Sequence, residues 1–343
     1  MGRYLLRRFN LFIATSIILI AVLFIATELF PANKHFILSG IPHPTLSESL
    51  KINEEFKLDG GKPQQFLAYL WQKINGNMGV STTSQQPISE ELKRVLPASY
   101  ELALTAGFLA FFFGFPIGML VSLSKNKISQ HTIMAFILAG YSNPVIWLGP
   151  LIALGFGIKL GWLPTSGQIN LLYNIQPVTG FMLIDTLLSD SPHRLSAFYS
   201  AVRHIILPAI TLAILPFTAI VRITRAAMMN IMNQPFIQAA EARGLHTRSI
   251  VLRHALPNAF IPVLKNLGLM LGSFTGYGIL VEMVFSWPGV GFWLISGIEQ
   301  RDYTVVQGGI LAVSLNIIFL SIVIDIIHTA YNPLSKKEVY ASN

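Results

Sequence analysis

The chain has 343 residues, of which 52% are hydrophobic and only 12% are charged, whereas a soluble globular domain carries about 25% charged residues. With a mean hydropathy of +0.57, this composition excludes an ordinary soluble protein and predicts several membrane spans. Excess Lys and Arg usually hold membrane-protein loops on the cytoplasmic side, so the net charge of +8 does not require a nucleic-acid partner. Because the sequence has no cysteine, disulfides, thiolate metal sites and a cysteine nucleophile are excluded.

The first predicted span is the uncharged run 9–27, which follows three arginines. A secretory signal peptide is the alternative, but its apolar region has about 7 to 15 residues and ends at a small-residue cleavage site. This run is longer and continues into Glu28 and Pro31. We therefore predict an uncleaved span.

Five further uncharged runs are long enough, or nearly so, to cross about 30 Å of hydrocarbon as helices. They are residues 102–124, 132–158, 205–221, 266–281 and 304–324. Six spans place both termini on the same side, and the short segments on that side hold most of the Lys and Arg, which favours the cytoplasm. The sequence thus predicts an all-α, multi-pass membrane protein with both termini cytoplasmic.

Two segments are predicted to lie outside. The loop 31–96 is long and polar, and its paired carboxylates indicate a solvated surface because no partnered acid or base accompanies them. In the segment 161–202, an uncharged stretch is interrupted by Pro177, which favours an interfacial or re-entrant element over a seventh span. The predicted domains are a tail with the first helix, the outer loop, the transmembrane domain and a cytoplasmic tail, at residues 1–30, 31–96, 97–330 and 331–343.

Two features of the membrane segments bear on function. Gly268, Gly272 and Gly276 recur every four residues on one face of the fifth helix, which predicts the close approach of a neighbouring backbone. Glu282 lies near the end of the same helix, where an ionised carboxylate is costly unless it faces water or a partner. For this carboxylate, a role in a transport path or gate and a purely structural role are both open.

The sequence shows no pattern of an enzyme active site. The Gly61-Lys62 pair lacks the upstream glycine of a phosphate-binding loop and is followed by Pro63, so the chain is not expected to hydrolyse ATP. The eight histidines form no His-Glu-x-x-His pattern. We predict no catalytic residue, metal or cofactor in this chain.

The longest inner segment, 225–258, has the local code of two short helices. Asn233 before Pro235 offers an N-cap and a first-turn proline, and Gly244 is a favourable stop. Thr247 offers the cap of a second helix.

The first of these helices is predicted to carry a small apolar face. Helical spacing places Phe236, Ala239 and Ala240 on one side, with Gln238 and Glu241 at its rim. Such a knob suits a groove on another protein. The residues alone leave a second interpretation open, in which the helix rests on lipid headgroups.

The same segment carries a recognisable motif. The run Gln238-Ala239-Ala240-Glu241-Ala242-Arg243-Gly244, followed after nine residues by His254-Ala255-Leu256-Pro257, resembles the EAA signature of ABC importer permeases, with Gln238 and His254 in place of its usual Glu and Ile. Three further runs are similar to dipeptide and oligopeptide permease B subunits: Gly161-Trp162-Leu163-Pro164, the run ending in Trp287-Pro288-Gly289, and Asp302-Tyr303. Within that family, residues 171–173, 177–181, 188–192 and 332–334 resemble the permease B subunits of Sap (sensitivity to antimicrobial peptides) systems.

The resemblance covers nearly the whole chain and implies the six-helix fold of type I ABC importer permeases in the bacterial inner membrane. It also implies a heterodimer with a homologous permease, a periplasmic solute-binding protein, and two cytoplasmic ATPase subunits that bind ATP and Mg. The implied ATPase-coupling residues are Phe236, Gln238, Ala239, Ala240, Glu241, Gly244, Leu256 and Pro257. The candidates for helix packing and gating are Gly268, Gly272, Gly276, Glu282, Trp287, Pro288 and Gly289.

The function expected from this resemblance is the transport of peptides, including antimicrobial peptides. Export of a polyamine such as putrescine by the same type of complex is the alternative. A secondary transporter or channel would need ion-coupling residues at the midplane or an inverted repeat, and the sequence shows neither. A receptor or scaffold would need no Gly-lined moving interface.

Overall fold

The structure is a computed structural model that describes residues 2–29, 34–41 and 44–331, with the side chains of 2–5, 265, 267–273 and 327–331 left out of the description. The described residues form helices joined by turns and one isolated β-bridge. The helices are α1 (Gly2–Leu29), α2 (Lys34–Ser39), α3 (Leu46–Phe56), α4 (Lys62–Ile74), α5 (Ile88–Leu123), α6 (Lys127–Ser142), α7 (Val145–Ile152), α8 (Met182–Leu188), α9 (Arg194–Met232), α10 (Pro235–Ala242), α11 (Thr247–Ile250), α12 (Leu256–Val284), α13 (Val290–Glu299) and α14 (Tyr303–Tyr331).

Several of these helices are suited to a bilayer. Within the described part of the chain, α1, α5, α9 and α14 are long and apolar enough to cross a membrane, and the bent pair of α6 and α7 makes a fifth span if it counts as one. α12 has 29 residues, but its side chains 267–273 lie outside the description. An all-α, multi-pass membrane protein is confirmed, while the count of six spans stays a prediction.

The third predicted span, 132–158, is bent. α6 and α7, the latter extended by a π-helical run Ala153–Lys159, meet at 102°. Proline disfavours the helical conformation of the residue before it, and Asn143 accordingly has an extended backbone with φ −88° and ψ 130°. The single continuous span is thus corrected to two helices broken at Pro144.

The chain divides into two compact units, and the first consists of Met1–Ser99 and Pro288–Phe319. Its main apolar cluster joins one face of α1 to the helices of the 31–96 segment and to α14. The buried members of this cluster are Ile20, Leu23, Leu38, Ile52, Phe56, Tyr69 and Leu311.

In its described residues, the predicted outer loop 31–96 contains α2, α3, α4 and the start of α5, which begins at Ile88. α3 begins with a capping box in which the Thr45 hydroxyl accepts from the Glu48 amide and the Glu48 carboxylate accepts from the Thr45 amide. The Glu28 carboxylate at the end of α1 pairs with Lys34 at 2.7 Å and also with Lys62. These contacts tie the starts of α2 and α4 to the end of α1.

The second unit consists of Tyr100–Trp287 and Leu320–Asn343 and is built around α9. Within this single chain, 67% of the apolar stretch of α9 is buried, compared with 28% for α5. A Cβ added at Gly118 of α5 would lie 2.7 Å from both the Thr224 Cβ and the Val221 oxygen of α9. Only glycine permits this close approach of the two helices.

Candidate functional site

The chain leaves α9 and forms the short helix α10 almost at once. Gln234 precedes the first helical residue, Pro235, because α9 extends to Met232 and Asn233 closes it. The predicted N-cap at Asn233 is therefore corrected to Gln234. Phe236 is 47% exposed.

The exposed side of α10 also includes most of the predicted coupling residues. They are Gln238, Ala239 and Glu241, followed by Gly244 after the helix end. This side therefore offers a mixture of apolar and polar groups for contact.

The opposite side of α10 is packed against the protein. Ile237 and Ala240 form a buried cluster with Ile250, and Ile231 and Met232 at the end of α9 pack against it. Ala240 was predicted on the apolar knob, but it faces inward. The reason is that the larger Ile237, next to Phe236, decides which side of the helix is buried.

Gly244 ends α10 for a conformational reason. Its φ is +78°, and its amide donates to the Glu241 oxygen at 2.9 Å. A Cβ at this position would meet no atom of the described residues within 4 Å. The glycine is therefore needed for its left-handed backbone and not for space.

The second predicted helix of the segment does not stand alone. α11 begins at Thr247 itself, preceded by His246, and continues through a π-helical run, Val251–Ala255, into α12. Pro257 is the second residue of α12 and follows directly on the π-helical run. The predicted cap at Thr247 and the end near Leu256 are corrected accordingly.

An apolar cluster holds this joined helix to α9. Ala227 and Met228 of α9 are buried with Val251, Ala255 and Ala259. The predicted coupling segment, 225–258, thus packs against α9 through α10. Its last part, from α11 into α12, packs against α9 as well.

The gating candidates lie along α12 and the turn after it. Gly268 and Gly272 fall outside the described side chains, and a Cβ at Gly276 would meet no described atom within 4 Å. Glu282 and Trp287 are buried, and the Trp287 amide donates to the Glu282 backbone oxygen at 2.9 Å. Residues 282–287 therefore form a tight turn at the end of α12, with the side chains of Glu282 and Trp287 buried.

The next two motif residues lead into α13. Pro288 follows the buried Trp287, and Gly289 precedes the first helical residue, Val290. The Val290 amide donates to the Ser99 hydroxyl oxygen at 2.8 Å. This bond satisfies one free amide of the α13 N-terminus.

Two buried carboxylates that the sequence did not single out organise the segment after α7. Glu101, 4% exposed, accepts from Gln168 Nε2 at 2.8 Å and from the Leu183 amide at 2.7 Å. These partners are 67 and 82 positions away along the chain. A single sequence offers no signal that would pair them.

Asp185, the second carboxylate, acts locally. It accepts from the Thr179 amide at 2.7 Å, the Thr179 hydroxyl at 2.6 Å and the Gly180 amide at 2.9 Å. The Thr179-Gly180 pair belongs to the run that suggested the Sap resemblance. In this structure the Thr179-Gly180 pair binds Asp185 and shapes the turn before α8. An Asp that follows a Thr-Gly pair within six residues could have indicated this structural role.

These features define a class of protein. The described residues form a multi-pass helical chain in which α9 leads into a short, partly exposed helix, α10. The chain belongs to the family of binding-protein-dependent transport system inner membrane components, whose sequence profile matches residues 114–337. It is a permease subunit of the dipeptide and peptide branch of ABC importers.

Individual relatives support this assignment. The chain is 39% identical over 330 residues to the di/tripeptide transport system permease protein DppB of Pseudomonas aeruginosa, which covers 96% of this chain and 97% of the relative. It is 42% identical over 268 residues to the putrescine export system permease protein SapB of Escherichia coli K12, which covers 78% and 84%. The corresponding SapB of Salmonella typhimurium is named a peptide transport system permease, with the same identity and coverage.

A solved structure supports the fold. An inward-facing form of the MetNI methionine ABC transporter matches with a TM-score of 0.53 and 18% identity, over 71% of this chain and 96% of the matched chain.

Proposed function

We propose that this chain passes short peptides across the bacterial inner membrane as one half of a permease pair, with ATP hydrolysed by partner subunits. The observation that carries the proposal is α10, which exposes Phe236 and Ala239 while Ile237 and Ala240 hold it to the end of α9. A force applied to α10 therefore reaches α9, whose apolar stretch is 67% buried within this chain.

The coverage of the relatives supports peptides as cargo. The relative named a di/tripeptide permease matches this chain over nearly its whole length, whereas the relative named a putrescine exporter matches 78% of it. Because the latter has a slightly higher identity over its matched part, putrescine export is the second candidate.

Coupling takes place at the surface built by α10 and the start of α12. In this proposal, ATPase closure presses on Phe236, Gln238, Ala239, Glu241 and Gly244. Ala240 supports them from behind, and Leu256 and Pro257 carry the movement into α12. The packing of Val251 and Ala255 against α9 transmits the movement to two membrane helices together.

The gating role is assigned to α12 and its C-terminal turn. Gly268, Gly272 and Gly276 allow a neighbouring helix to slide, and Glu282 with Trp287-Pro288-Gly289 holds the turn that moves with it. Such small displacements of packed helices are a common form of transport movement.

The proposed assembly contains this chain, a homologous permease, two cytoplasmic ATPase subunits that bind ATP and Mg, and a periplasmic solute-binding protein. Both termini of the chain lie in the cytoplasm, and residues 31–96 lie in the periplasm. Residues 331–343, proposed as a cytoplasmic tail, lie beyond the described residues apart from Tyr331.

Reconstitution tests the proposal. The complex is purified through a tag on this chain and placed in liposomes with ATP on the ATPase side. We expect two ATPase subunits to copurify and radiolabelled dialanine to move only with ATP. Movement of putrescine without movement of peptide would favour the second candidate, and purification of the folded chain without any ATPase would contradict both.

A further inference from the structure

The second unit contains a cavity of about 520 Å³ beside the C-terminal half of α9. It lies between α9, Met134 of α6 and Asn266 of α12, and two arginines of α9 line it, Arg222 and Arg225. Binding sites for small molecules commonly have volumes of about 300 to 1,000 Å³. The cavity is therefore large enough for a small solute.

The charge of this cavity is uncompensated. Arg222 is exposed and Arg225 is half-buried, and no acidic side chain among the described residues lines the cavity. Residues 191–240, which contain both arginines, include no Asp or Glu. The chain itself therefore supplies no nearby counter-charge along α9.

Arg225 is held in place by one neutral neighbour. Its Nη2 donates to Gln130 Oε1 at 3.3 Å, while its buried Nε has no acceptor among the described residues. A half-buried cation with an unsatisfied N–H group is unfavourable unless an acceptor reaches it, and an anion offsets its charge as well. The guanidinium group is well suited to a carboxylate, which it binds through two parallel N–H groups.

The two arginines place the cavity near the end of α9 that leads into α10, on which the ATPase subunits are proposed to press. Along the helix axis, Arg222 and Arg225 lie about 15 Å and about 10 Å before Met232, where α9 ends. In the proposed orientation, the cavity lies near the cytoplasmic boundary of the membrane. A solute that leaves the path toward the cytoplasm would pass this point.

We infer that this cavity is an anion site that binds the terminal carboxylate of a peptide cargo through Arg222 and Arg225. The inference rests on the proposed function and specifies the cargo further, because a diamine such as putrescine is repelled by the same two cations. A lipid phosphate at the membrane surface would need only the exposed Arg222. The half-buried Arg225 and the cavity beside it favour a solute that enters.

Cysteine labelling tests the charge of the cavity directly. Because the chain has no cysteine, Ala226→Cys introduces one thiol of this chain into the lining. The variant is assembled into the complete complex with cysteine-free partners, and its reaction with a negatively and a positively charged methanethiosulfonate is compared. We expect the anionic reagent to react about tenfold faster, relative to the rates of both with a free thiol.

A matched pair of variants connects this preference to the arginines. Adding Arg222→Gln and Arg225→Gln should remove the preference, whereas Lys127→Gln, which removes an exposed cation outside the cavity, should leave it intact. Equal reaction of the two reagents, or no reaction with either, would overturn the inference.

Protection by solutes then identifies the ligand. Dialanine should slow labelling at concentrations at which dialanine amide and putrescine do not, and the arginine double variant should lose this protection. Measurements in nanodiscs of neutral and of anionic lipid test whether a lipid phosphate occupies the cavity instead. Anionic lipid that abolishes the preference, with no further effect of dialanine, would assign the site to a lipid phosphate and overturn the inference.

The same experiments separate the two proposals. If the wild-type complex moves no peptide in liposomes, the proposed function fails. Protection by dialanine but not by its amide would still establish a carboxylate site. If peptide is transported but dialanine and its amide protect equally, only the anion site is rejected.

Discussion

The Ser81 hydroxyl donates a 2.8 Å hydrogen bond to Asp302 Oδ2, joining two residues that are 221 positions apart. The same oxygen accepts from the amides of Thr82 at 2.7 Å and Thr83 at 3.2 Å. The other oxygen, Oδ1, accepts from the Val305 amide at 3.1 Å in the first turn of α14. Asp302 is 1% exposed, so it is at once a helix cap and the anchor of a distant turn.

Removal of this carboxylate should weaken the first unit. Asp302→Ala leaves one hydroxyl and three amides without their acceptor, and we expect a loss of about 3 kcal/mol in the free energy of unfolding. Ser81→Ala removes one donor to Asp302 and one oxygen that accepts from the Thr83 and Ser84 amides, so it should cost less, about 1 to 2 kcal/mol. Thermal unfolding of the purified complex measures both, and equal effects of the two substitutions would contradict this assignment.

A second prediction concerns Glu101. Glu101→Gln turns one acceptor oxygen into an NH₂ group, which must face either Gln168 or the Leu183 amide, so we expect a loss of about 2 kcal/mol. Segment 161–193 should then be cut more readily in limited proteolysis. The control is Glu90→Gln at the start of α5, an exposed carboxylate paired with Lys93, which should change little. Unchanged proteolysis of the Glu101 variant would count against the anchoring role.

Lys73 gives a pH-dependent prediction. Burial lowers the pKa of Lys73 to about 8 from its usual 10.5. Its Nζ donates to the Met78 oxygen at 3.2 Å and lies 5.1 Å from the centre of the Tyr69 ring. Between the two pKa values, the unfolded chain binds more protons than the folded one, so stability should rise from about pH 8 to about pH 10.5.

Replacement of this lysine tests the sign. Below pH 8, the buried cation costs the fold about 3 kcal/mol relative to an unshifted lysine. Lys73→Met should therefore raise the unfolding temperature at pH 7 and abolish the rise between pH 8 and pH 10.5. Lys51→Met, at an exposed position of α3, should retain the rise. A Lys73→Met variant that keeps the wild-type pH profile would refute the explanation.

Two glycines of α5 should respond to the same substitution in opposite ways. Gly118→Ala forces a methyl group against Thr224 and Val221, which should cost about 1 to 3 kcal/mol. A Cβ at Gly107 meets no described atom within 4 Å, so Gly107→Ala should gain about 0.5 to 1 kcal/mol from helix propensity alone. Comparison of the two unfolding temperatures decides whether α5 and α9 approach as described.

The last prediction concerns the coupling of transport to ATP hydrolysis. Gly244→Val strains the left-handed residue after α10 without meeting a neighbour, so it should leave the protein inserted while transport per ATP hydrolysed falls severalfold. Gly76 has the same backbone conformation, with φ +79° and equally open surroundings, but lies outside the coupling segment. Gly76→Val should therefore keep the wild-type ratio of transport to ATP hydrolysis. Loss of coupling in both variants would point to general strain.

The sequence predicted the ends of a helix well where neighbouring residues determine them. Pro235 and Gly244 mark the start and stop of α10 because one fits a first turn and the other a left-handed residue. The inward orientation of Ala240 was missed because it depends on Ile250, which reaches Ile237 only in the folded chain. Spacing along one helix cannot show which side another element covers.

In the membrane segments, too, the features with a local cause were predicted and those that depend on remote residues were missed. The uncharged runs predicted helices at the correct places, because hydropathy acts along the chain. The bend of 102° at Pro144 interrupts a run that hydropathy alone shows as one span, because hydropathy does not register a change in helix direction. The anchors Glu101 and Asp302 were missed because their partners are remote in the chain.

The composition of the first unit has a consequence for biosynthesis. Tyr69 and Ile88 reach their buried positions in clusters that include Leu311 and Val305, which the ribosome adds more than two hundred residues later. At about 5 to 20 residues per second, Ser81 waits roughly 10 to 45 seconds for Asp302. During that time, the apolar faces of α3 and α4 lack part of their partner, and such exposed apolar surface is prone to aggregation. A chain that stops before α14 should be recognised as incomplete and degraded.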